Sequence, residues 1–149
     1  MKSRAFTLVE VLIVVIVLGI LAAITVPQFS TASSDANLSS LTTDLQIIRG
    51  QLQLYKVQHG DTWPTSANFA AQMTGSTDIT GAVASTQSTS QPSGNGNSYP
   101  YGPYLQATPK NPYTGTNTVG AAANYSTAWY YDSTTGTFKA NDSAGHAAY

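Results

Sequence analysis

The chain contains no cysteine and few charged residues. Of its 149 residues, 9% are Asp, Glu, Lys or Arg, against about 25% in typical soluble domains. The lack of cysteine excludes disulfides, a thiolate nucleophile and cysteine-ligated zinc. Because 6 Lys and Arg stand against 7 Asp and Glu, no basic surface is expected, and therefore no binding of nucleic acid.

Recognisable catalytic motifs are also missing. The sequence has no P-loop, no H-E-x-x-H and no G-x-S-x-G. Neither of its two histidines, His59 and His146, has an adjacent acid or nucleophile in a known motif. We interpret His59, close to Asp61, as a polar residue of a surface turn. The sequence therefore predicts a protein that is not an enzyme and that has no cofactor.

Apolar residues are concentrated near the N-terminus. Residues 11–24 carry no charge, and the 21 residues 6–26 approach the roughly 20 that cross the hydrocarbon core of a membrane. Lys2 and Arg4 precede this run and would hold that end in the cytoplasm. The segment is interpreted either as a membrane anchor or as a secretory signal peptide, because the basic and apolar regions of a signal peptide are also present.

Glu10 distinguishes between these interpretations. A carboxylate inside an apolar run costs about 2.5–3.5 kcal/mol at mid-bilayer, and neither a plain anchor nor a signal peptide gains from that cost. If the chain were cut between Ala5 and Phe6, Glu10 would lie four residues, one helical turn, from the new N-terminus. In a bundle of staggered copies, it could then pair with the Phe6 amine of a neighbour and set the register.

The first ten residues carry a family resemblance. The segment KSRA followed by FTLVE resembles the type III leader of type IV prepilins and pseudopilins. The resemblance extends to Gly19 and Pro27, where that family tends to have residues that loosen the helix. It implies cleavage after Ala5 and N-methylation of Phe6 by a prepilin peptidase. Ala5 departs from the family pattern, in which glycine usually precedes the cut.

A second helical pattern follows the apolar run. Six apolar residues recur at spacings of 3, 4, 3, 4 and 3, which is an amphipathic stripe of helical period. Either this stripe forms a coiled coil with another chain or it is buried against the C-terminal sheet of its own chain, and we favour the second. Ile47 and Leu54 lie off the stripe, where they could widen it or contact neighbouring subunits. The stripe consists of Leu38, Leu41, Leu45, Ile48, Leu52 and Tyr55.

The expected fold class is α+β. A long N-terminal helix, with Pro27 and Gly19 as kink positions, has a membrane half and an amphipathic half packed on a small antiparallel C-terminal sheet. Gly60 is a stop signal for the helix. The predicted segments are a leader at 1–5, a transmembrane or filament-core helix at 6–26, an amphipathic helix at 27–59 and a polar part at 60–149.

The polar part divides into a loop-rich segment and a hairpin. Residues 73–98 are dense in Gly, Ser and Thr and predict a surface loop. Tyr125–Tyr131 and Thr137–Ala140 flank the turn residues 132–136 and predict a β-hairpin. In this hairpin Trp129, Tyr131 and Phe138 are expected to face inward.

The polar part resembles the major pseudopilin of type II secretion systems. Trp63-Pro64, the segment GPYL at 102–105, the pattern P-x-N-P at 109–112 and the predicted hairpin carry this resemblance. That family typically binds calcium through aspartates of its C-terminal loops. No Asp or Glu lies between Asp78 and Asp132 here, which leaves Asp132 and Asp142 as weak calcium candidates.

The resemblances imply a structural subunit of a type IV pilus-like filament, a type II secretion pseudopilin polymerising through its N-terminal helix. The alternative is the major pilin of a surface type IV pilus for adhesion, motility or DNA uptake. A third hypothesis is an envelope protein that binds a ligand without polymerising. The implied partners are further copies in a helical filament, a prepilin peptidase, an inner-membrane platform protein and an assembly ATPase. The subunit would sit in a bacterial inner membrane with its globular part in the periplasm before it is assembled.

Overall fold

The computed structural model describes residues 6–84 and 99–149. The elements in chain order are α1 (Leu8–Gln58), α2 (Phe69–Thr74), β1 (Val119–Gly120), β2 (Trp129–Asp132), β3 (Thr137–Ala140) and a 3-10 helix (His146–Ala148). The chain divides into an N-terminal unit, Met1–Leu38, and a globular unit, Ser39–Tyr149. The predicted α+β class is confirmed. Most of the predicted loop, from residue 85 to 98, lies outside the described residues.

The N-terminal unit presents an apolar helix to its surroundings. Every described side chain from Phe6 to Thr25 is exposed. By length and composition α1 can cross a membrane, because an 18-residue window of it reaches a mean hydropathy of 3.0 with none of that window buried. The helix is assigned without a break through Gly19 and Pro27. The kink at these positions stays a prediction.

The globular unit is built on the amphipathic part of α1. Leu41, Leu45, Ile48, Leu52 and Tyr55 are each at most 1% exposed. This confirms the burial of the stripe within its own chain from Leu41 onward, whereas its first member, Leu38, is half-buried. The helix ends at Gln58, and Gly60 follows with a φ of +59°, which agrees with the predicted stop signal.

Aromatic rings from α2 and the sheet complete the core. The centroid of the Phe69 ring lies 4.5 Å from that of Tyr131 and 5.4 Å from that of Phe138. The centroid of the Phe138 ring in turn lies 5.4 Å from that of the Trp129 ring. Arg49 of α1 donates two hydrogen bonds to the carbonyl oxygen of Phe138, at 3.0 and 2.9 Å, and so attaches the helix to β3.

The three-stranded sheet is mixed and has the order β1-β2-β3. Its β2–β3 pair is the predicted antiparallel hairpin, in which Tyr131 lies opposite Phe138. Trp129, Tyr131 and Phe138 are buried as expected. The two residues of β1 pair with β2 in parallel, so the sheet is not antiparallel throughout.

The first arm of the hairpin is shorter than predicted. It begins at Trp129, whereas Tyr125 lies in a turn with a φ of +59°. Side-chain acceptors take the backbone N–H groups that a strand would use for pairing. The amide of Ser126 donates to Oδ1 of Asn124, and the amide of Tyr125 donates to Oδ1 of Asn141, both at 3.2 Å. These bonds to side chains, of which that to Asn124 is local in sequence, compete with extension of the ladder.

The turn between β2 and β3 is held by its own residues. The amide of Gly136 donates to the carbonyl oxygen of Asp132 at 2.8 Å, and Gly136 has a φ of +71°. A Cβ at this position would lie 2.4 Å from the Trp63 ring. Glycine is therefore required both by the backbone conformation and by the ring packed against it.

Two adjacent isoleucines of α1 provide a matched test of this core. Ile48 is fully buried, whereas Ile47 is 48% exposed. We expect Ile48→Ala to lower the free energy of unfolding by about 2–5 kcal/mol because it leaves a cavity. Ile47→Ala should change it by no more than about 0.5 kcal/mol. Denaturant unfolding of the full chain in detergent, followed by tryptophan fluorescence, measures both; equal losses would contradict the observed burial.

Candidate functional site

The N-terminus of α1 is capped by reciprocal hydrogen bonds between Thr7 and Glu10. The backbone amide and the hydroxyl of Thr7 donate to Oε2 of Glu10, at 2.9 and 2.8 Å. The amide of Glu10 donates back to the Thr7 hydroxyl at 3.3 Å. This is a capping box, in which Thr7 is the residue before the first helical turn. The pattern T-x-x-E ahead of an apolar run indicates such a box, and our interpretation of the sequence overlooked it.

The cap leaves one oxygen of Glu10 for a further partner. Within residues 6–84 and 99–149, the hydrogen bonds to this carboxylate converge on Oε2, and Oε1 receives none. Phe6 is 79% exposed and lies one turn before Glu10. Ala5 lies outside the described residues. The carboxylate can therefore accept a hydrogen bond from a cation or an amine outside its own helix while it continues to cap α1.

The part of α1 that carries Glu10, from Leu8 to Ile24, has apolar side chains on all sides. The large hydrophobic side chains from Leu8 to Ile24 are between 49% and 82% exposed. A helix without a polar face is covered by lipid or by other helices in its working state. Lipid and helix surfaces are similarly apolar, so exchange between these two environments has little hydrophobic cost. Glu10 is the one acidic residue of this surface.

A polar cluster lies where the chain leaves the sheet for its C-terminal 3-10 helix. The side-chain amide of Asn111 donates to the carbonyl oxygen of Ala128 at 3.0 Å and to Oδ1 of Asp142 at 2.9 Å. His146 Nδ1 bonds to the other oxygen of Asp142. The His146 ring stacks on Tyr113 with a centroid distance of 3.9 Å. These contacts attach the C-terminal segment to the sheet and to the loop at residue 111.

The two aspartates named as calcium candidates do not form a joint site. Asp132 accepts hydrogen bonds from Thr134 and Thr135 of its own turn, whereas both oxygens of Asp142 are used in the polar cluster. Asp132 lies opposite Thr137, the first residue of β3, whereas Asp142 follows the other end of this strand, which is about 10 Å long. In the described part of the chain no three His, Cys, Asp or Glu side chains come together as metal ligands. This arrangement does not fit Ca²⁺, which takes about six to eight oxygens. That the chain needs no cofactor stays a prediction.

His59 is not on the surface, so our interpretation of it was wrong. Its side chain is 3% exposed and stacks on Tyr55 at a centroid distance of 3.7 Å. Its ring nitrogens bond to the Tyr55 carbonyl oxygen at 2.8 Å and to the Thr77 hydroxyl at 2.9 Å. The position of His59 one turn after Tyr55, in line with the buried stripe, was the signal for this burial. Since both ring nitrogens of His59 bond to structural partners, the burial of this polar side chain is explained without a catalytic role.

Comparison with known proteins finds a family match for the N-terminal residues and relatives for a longer part of the chain. Residues 1–26 match the family described as the prokaryotic N-terminal methylation motif. The type II secretion system core protein G of Klebsiella pneumoniae is 28% identical over 112 residues, which cover 75% of this chain and 70% of that protein. The protein of the same name from Pseudomonas aeruginosa is 36% identical over 58 residues, 39% of this chain and 41% of the relative.

A pilus protein shows a similar match. The type IV narrow pilus major component of Thermus thermophilus is 34% identical over 58 residues, which cover 39% of this chain and 50% of that protein. No solved structure matches the chain. The resemblance inferred from the leader and from the polar part is confirmed, since the motif is matched and the relatives are named as a type II secretion system core protein and a type IV pilus component.

The polar cluster predicts a stability loss at acidic pH. Burial alone would raise the pKa of Asp142, but the hydrogen bonds from His146 and Asn111 lower it by more. The pKa of Asp142 therefore lies below its usual value. Because this pKa is lower in the folded state than in the unfolded state, where it is about 3.9, the ionised carboxylate stabilises the fold fully at pH values above 3.9. This stabilisation is lost as the pH falls through the folded-state pKa. We expect Asp142→Asn to destabilise the globular unit by about 1–3 kcal/mol at pH 7.

The same variant contains its own control. The difference from Asp142→Asn should shrink once the pH has fallen through the folded-state pKa and the carboxyl of the unsubstituted chain is protonated. Denaturant unfolding at pH 7 and at the lowest pH at which the unsubstituted chain stays folded measures that difference. A difference of equal size at both values would contradict a contribution from the ionised carboxylate.

Proposed function

We propose that this chain, a pilin-like structural protein with the prokaryotic N-terminal methylation motif, is a subunit of a pseudopilus of the type II secretion kind. Copies would polymerise through their apolar α1 helices into a helical filament. The observation that carries the proposal is the exposed apolar part of α1 from Leu8 to Ile24, with a single carboxylate, that of Glu10, in its first turn. The similarity to core protein G over 75% of the chain supports the pseudopilus.

The role proposed for Glu10 follows from its cost in lipid. A carboxylate in an apolar bilayer environment is unfavourable by up to about 2.5–3.5 kcal/mol, less near the interface. Cleavage between Ala5 and Phe6 by a prepilin peptidase would create a free amine, which N-methylation leaves able to carry charge. The amine of one subunit would then pair with Glu10 of its neighbour. Assembly relieves the unpaired charge, and the pairing sets the stagger between subunits.

The cellular location proposed for the subunit follows from the same helix. Before assembly, α1 would hold the chain in the bacterial inner membrane, with Lys2 and Arg4 on the cytoplasmic side and the globular unit in the periplasm. Since transfer from lipid to a helix bundle changes the hydrophobic free energy little, an assembly ATPase and a membrane platform protein would supply the work and the template. The chain is expected to act as a building block and not as an enzyme.

A surface type IV pilus is the second candidate. The match to the major component of a narrow type IV pilus of Thermus thermophilus favours it. The two candidates differ in polymer length and in location. Electron microscopy of material sheared from cells separates them, because a surface pilus gives long extracellular fibres at native expression and a pseudopilus does not.

Substitution of Glu10 tests the proposal directly. In cells that contain the assembly machinery, Glu10→Ala should leave the subunit in the membrane and reduce pelletable polymer by about tenfold or more, because the neighbour's amine loses its buried partner. Polymer formed by the unsubstituted chain should begin at Phe6 on N-terminal sequencing. Another terminus would contradict the proposed processing.

Thr7→Ala is the matched control for the capping role of Glu10. It removes the hydroxyl that caps α1 but keeps the carboxylate and the backbone amide of residue 7. We expect it to leave the polymer yield close to that of the unsubstituted chain. If both variants lose polymer to the same degree, Glu10 acts as a helix cap and not as the partner of a neighbouring subunit.

A further inference from the structure

An exposed part of the globular unit carries no charge. The 21 residues between Lys110 and Asp132, residues 111–131, include no Asp, Glu, Lys, Arg or His. Twelve of them are exposed and form two loops, residues 113–118 and 121–126, on either side of β1. The residues of these loops are Tyr, Thr, Asn, Ser, Ala and Gly only. We name the two loops together the neutral surface.

Each loop presents a tyrosine whose backbone is held by a buried asparagine. Asn111 is 0% exposed, and its Oδ1 accepts the backbone amide of Tyr113 at 2.9 Å. Asn141 is 1% exposed, and its Oδ1 accepts the backbone amide of Tyr125 at 3.2 Å. Both asparagines also donate to one acceptor, the carbonyl oxygen of Ala128, each at 3.0 Å. The two loops are therefore fixed to the same point, directly before β2.

The side chains of these two tyrosines stay accessible. Tyr113 is 38% exposed, and its ring stacks on that of His146 at a centroid distance of 3.9 Å. Tyr125 is 51% exposed and has a φ of +59°, a left-handed conformation that residues with a Cβ adopt rarely. Such a backbone persists only where surrounding contacts impose it, and it recurs at sites that hold ligands. The bonds of Asn141 impose it here, since its side-chain amide also donates to the Ala122 carbonyl oxygen at 3.0 Å.

The lack of charge restricts the kind of partner that fits the neutral surface. Nucleic acid requires a cluster of cations. About a quarter of the residues of a typical protein are charged, and on this surface they would lose water without gaining an opposite charge. Lipid hydrocarbon would leave the hydroxyl and amide groups of the loops without partners. A neutral glycan brings no charge and is itself covered with hydroxyl groups.

A pyranose ring has the two kinds of surface that the loops can bind. Its C–H groups form an apolar face, which can pack on the face of a tyrosine ring. Its hydroxyl groups project from the rim, where threonine, serine and asparagine side chains offer donors and acceptors. Asn124 lies next to Tyr125, and its Oδ1 accepts from Ser126 at 2.6 Å. Within residues 6–84 and 99–149 the side-chain nitrogen of Asn124 donates to no protein group, so it can donate to a sugar hydroxyl beside the Tyr125 ring.

We propose that the neutral surface binds a neutral glycan, with Tyr113 and Tyr125 as the stacking residues. The buried asparagines act as positioning residues, because they fix the backbone of each tyrosine before any ligand is present. A platform that is already ordered loses little conformational entropy on binding. Glycan binding would be a second activity of the chain, and it does not depend on polymerisation.

Calorimetric titration of the full chain tests the proposal. The subunit is held in a zwitterionic detergent, because a detergent with a sugar head group would compete for the surface. The probes are cellohexaose, chitohexaose and maltohexaose, which are neutral and differ in linkage and substituents. We expect at least one of them to bind with a Kd of about 0.1–1 mM, since two rings cover a small area. Hexagalacturonate, which has a carboxylate on each ring, should bind at least about tenfold more weakly.

Substitution of the tyrosines identifies the binding surface. Tyr113→Ala and Tyr125→Ala should each weaken binding of the same hexasaccharide by at least about tenfold, because a stacking ring is lost. Tyr125→Phe keeps the ring and should change the Kd by no more than about threefold. Ile79→Ala is the matched control, since Ile79 is 56% exposed outside both loops and its loss should leave binding unchanged. The melting temperature of each variant, followed by tryptophan fluorescence, shows that it is folded.

The outcomes separate this inference from the proposed function. If none of the three hexasaccharides binds at about 10 mM, the inference is overturned. Binding that survives both alanine substitutions would place the glycan elsewhere and contradict it too. If no sugar binds and both alanine variants lower the polymer yield in cells with the assembly machinery, a second copy covers the neutral surface instead. Because the titration uses unassembled subunits, a failure to polymerise would count against the proposed function alone.

Discussion

The constraint on which the structure depends is the need to cover α1. One stripe of this helix is sealed by the aromatic core of its own globular unit, where Ile48 and Tyr55 are at most 1% exposed. The apolar surface from Leu8 to Ile24 is not covered by any part of the chain that the structure describes. Water is the least favourable environment for a surface of that kind. The requirement for lipid or for further copies therefore follows from the helix itself.

The globular unit restrains the part of α1 that it covers through a few specific bonds. Arg49 donates to the backbone of β3, and Tyr104 donates to Gln58 at 2.6 Å. The turn at Gly136 receives the Trp63 ring. Since these contacts involve the inner face and the end of the helix, the opposite face stays accessible. The same helix can thus form a stable subunit and still offer a surface to others.

The periodicity of apolar residues predicted the elements in which buried side chains recur over several helical turns or several cross-strand pairs. The buried stripe and the register of Tyr131 opposite Phe138 are of this kind. The six residues of α2 and the two of β1 are too short to display a period, and their positions depend on contacts distant in sequence. His59 was misjudged because its polarity was weighed above its place one turn beyond Tyr55. At the candidate site Glu10 was identified by its cost in an apolar run, whereas its bond to Thr7, which the pattern T-x-x-E indicates, was overlooked.

The scarcity of charge also bears on how densely copies can be packed. The full chain has a net charge of −1, and the proposed cut between Ala5 and Phe6 would remove Lys2 and Arg4 and leave 4 Lys and Arg against 7 Asp and Glu, a net charge of −3. In a filament of such copies, screening over a Debye length of about 8–10 Å would limit the repulsion between subunits to near neighbours. A leader that is cut off at assembly would thus make each copy more acidic, and the filament would repel itself more strongly than the uncut chains do.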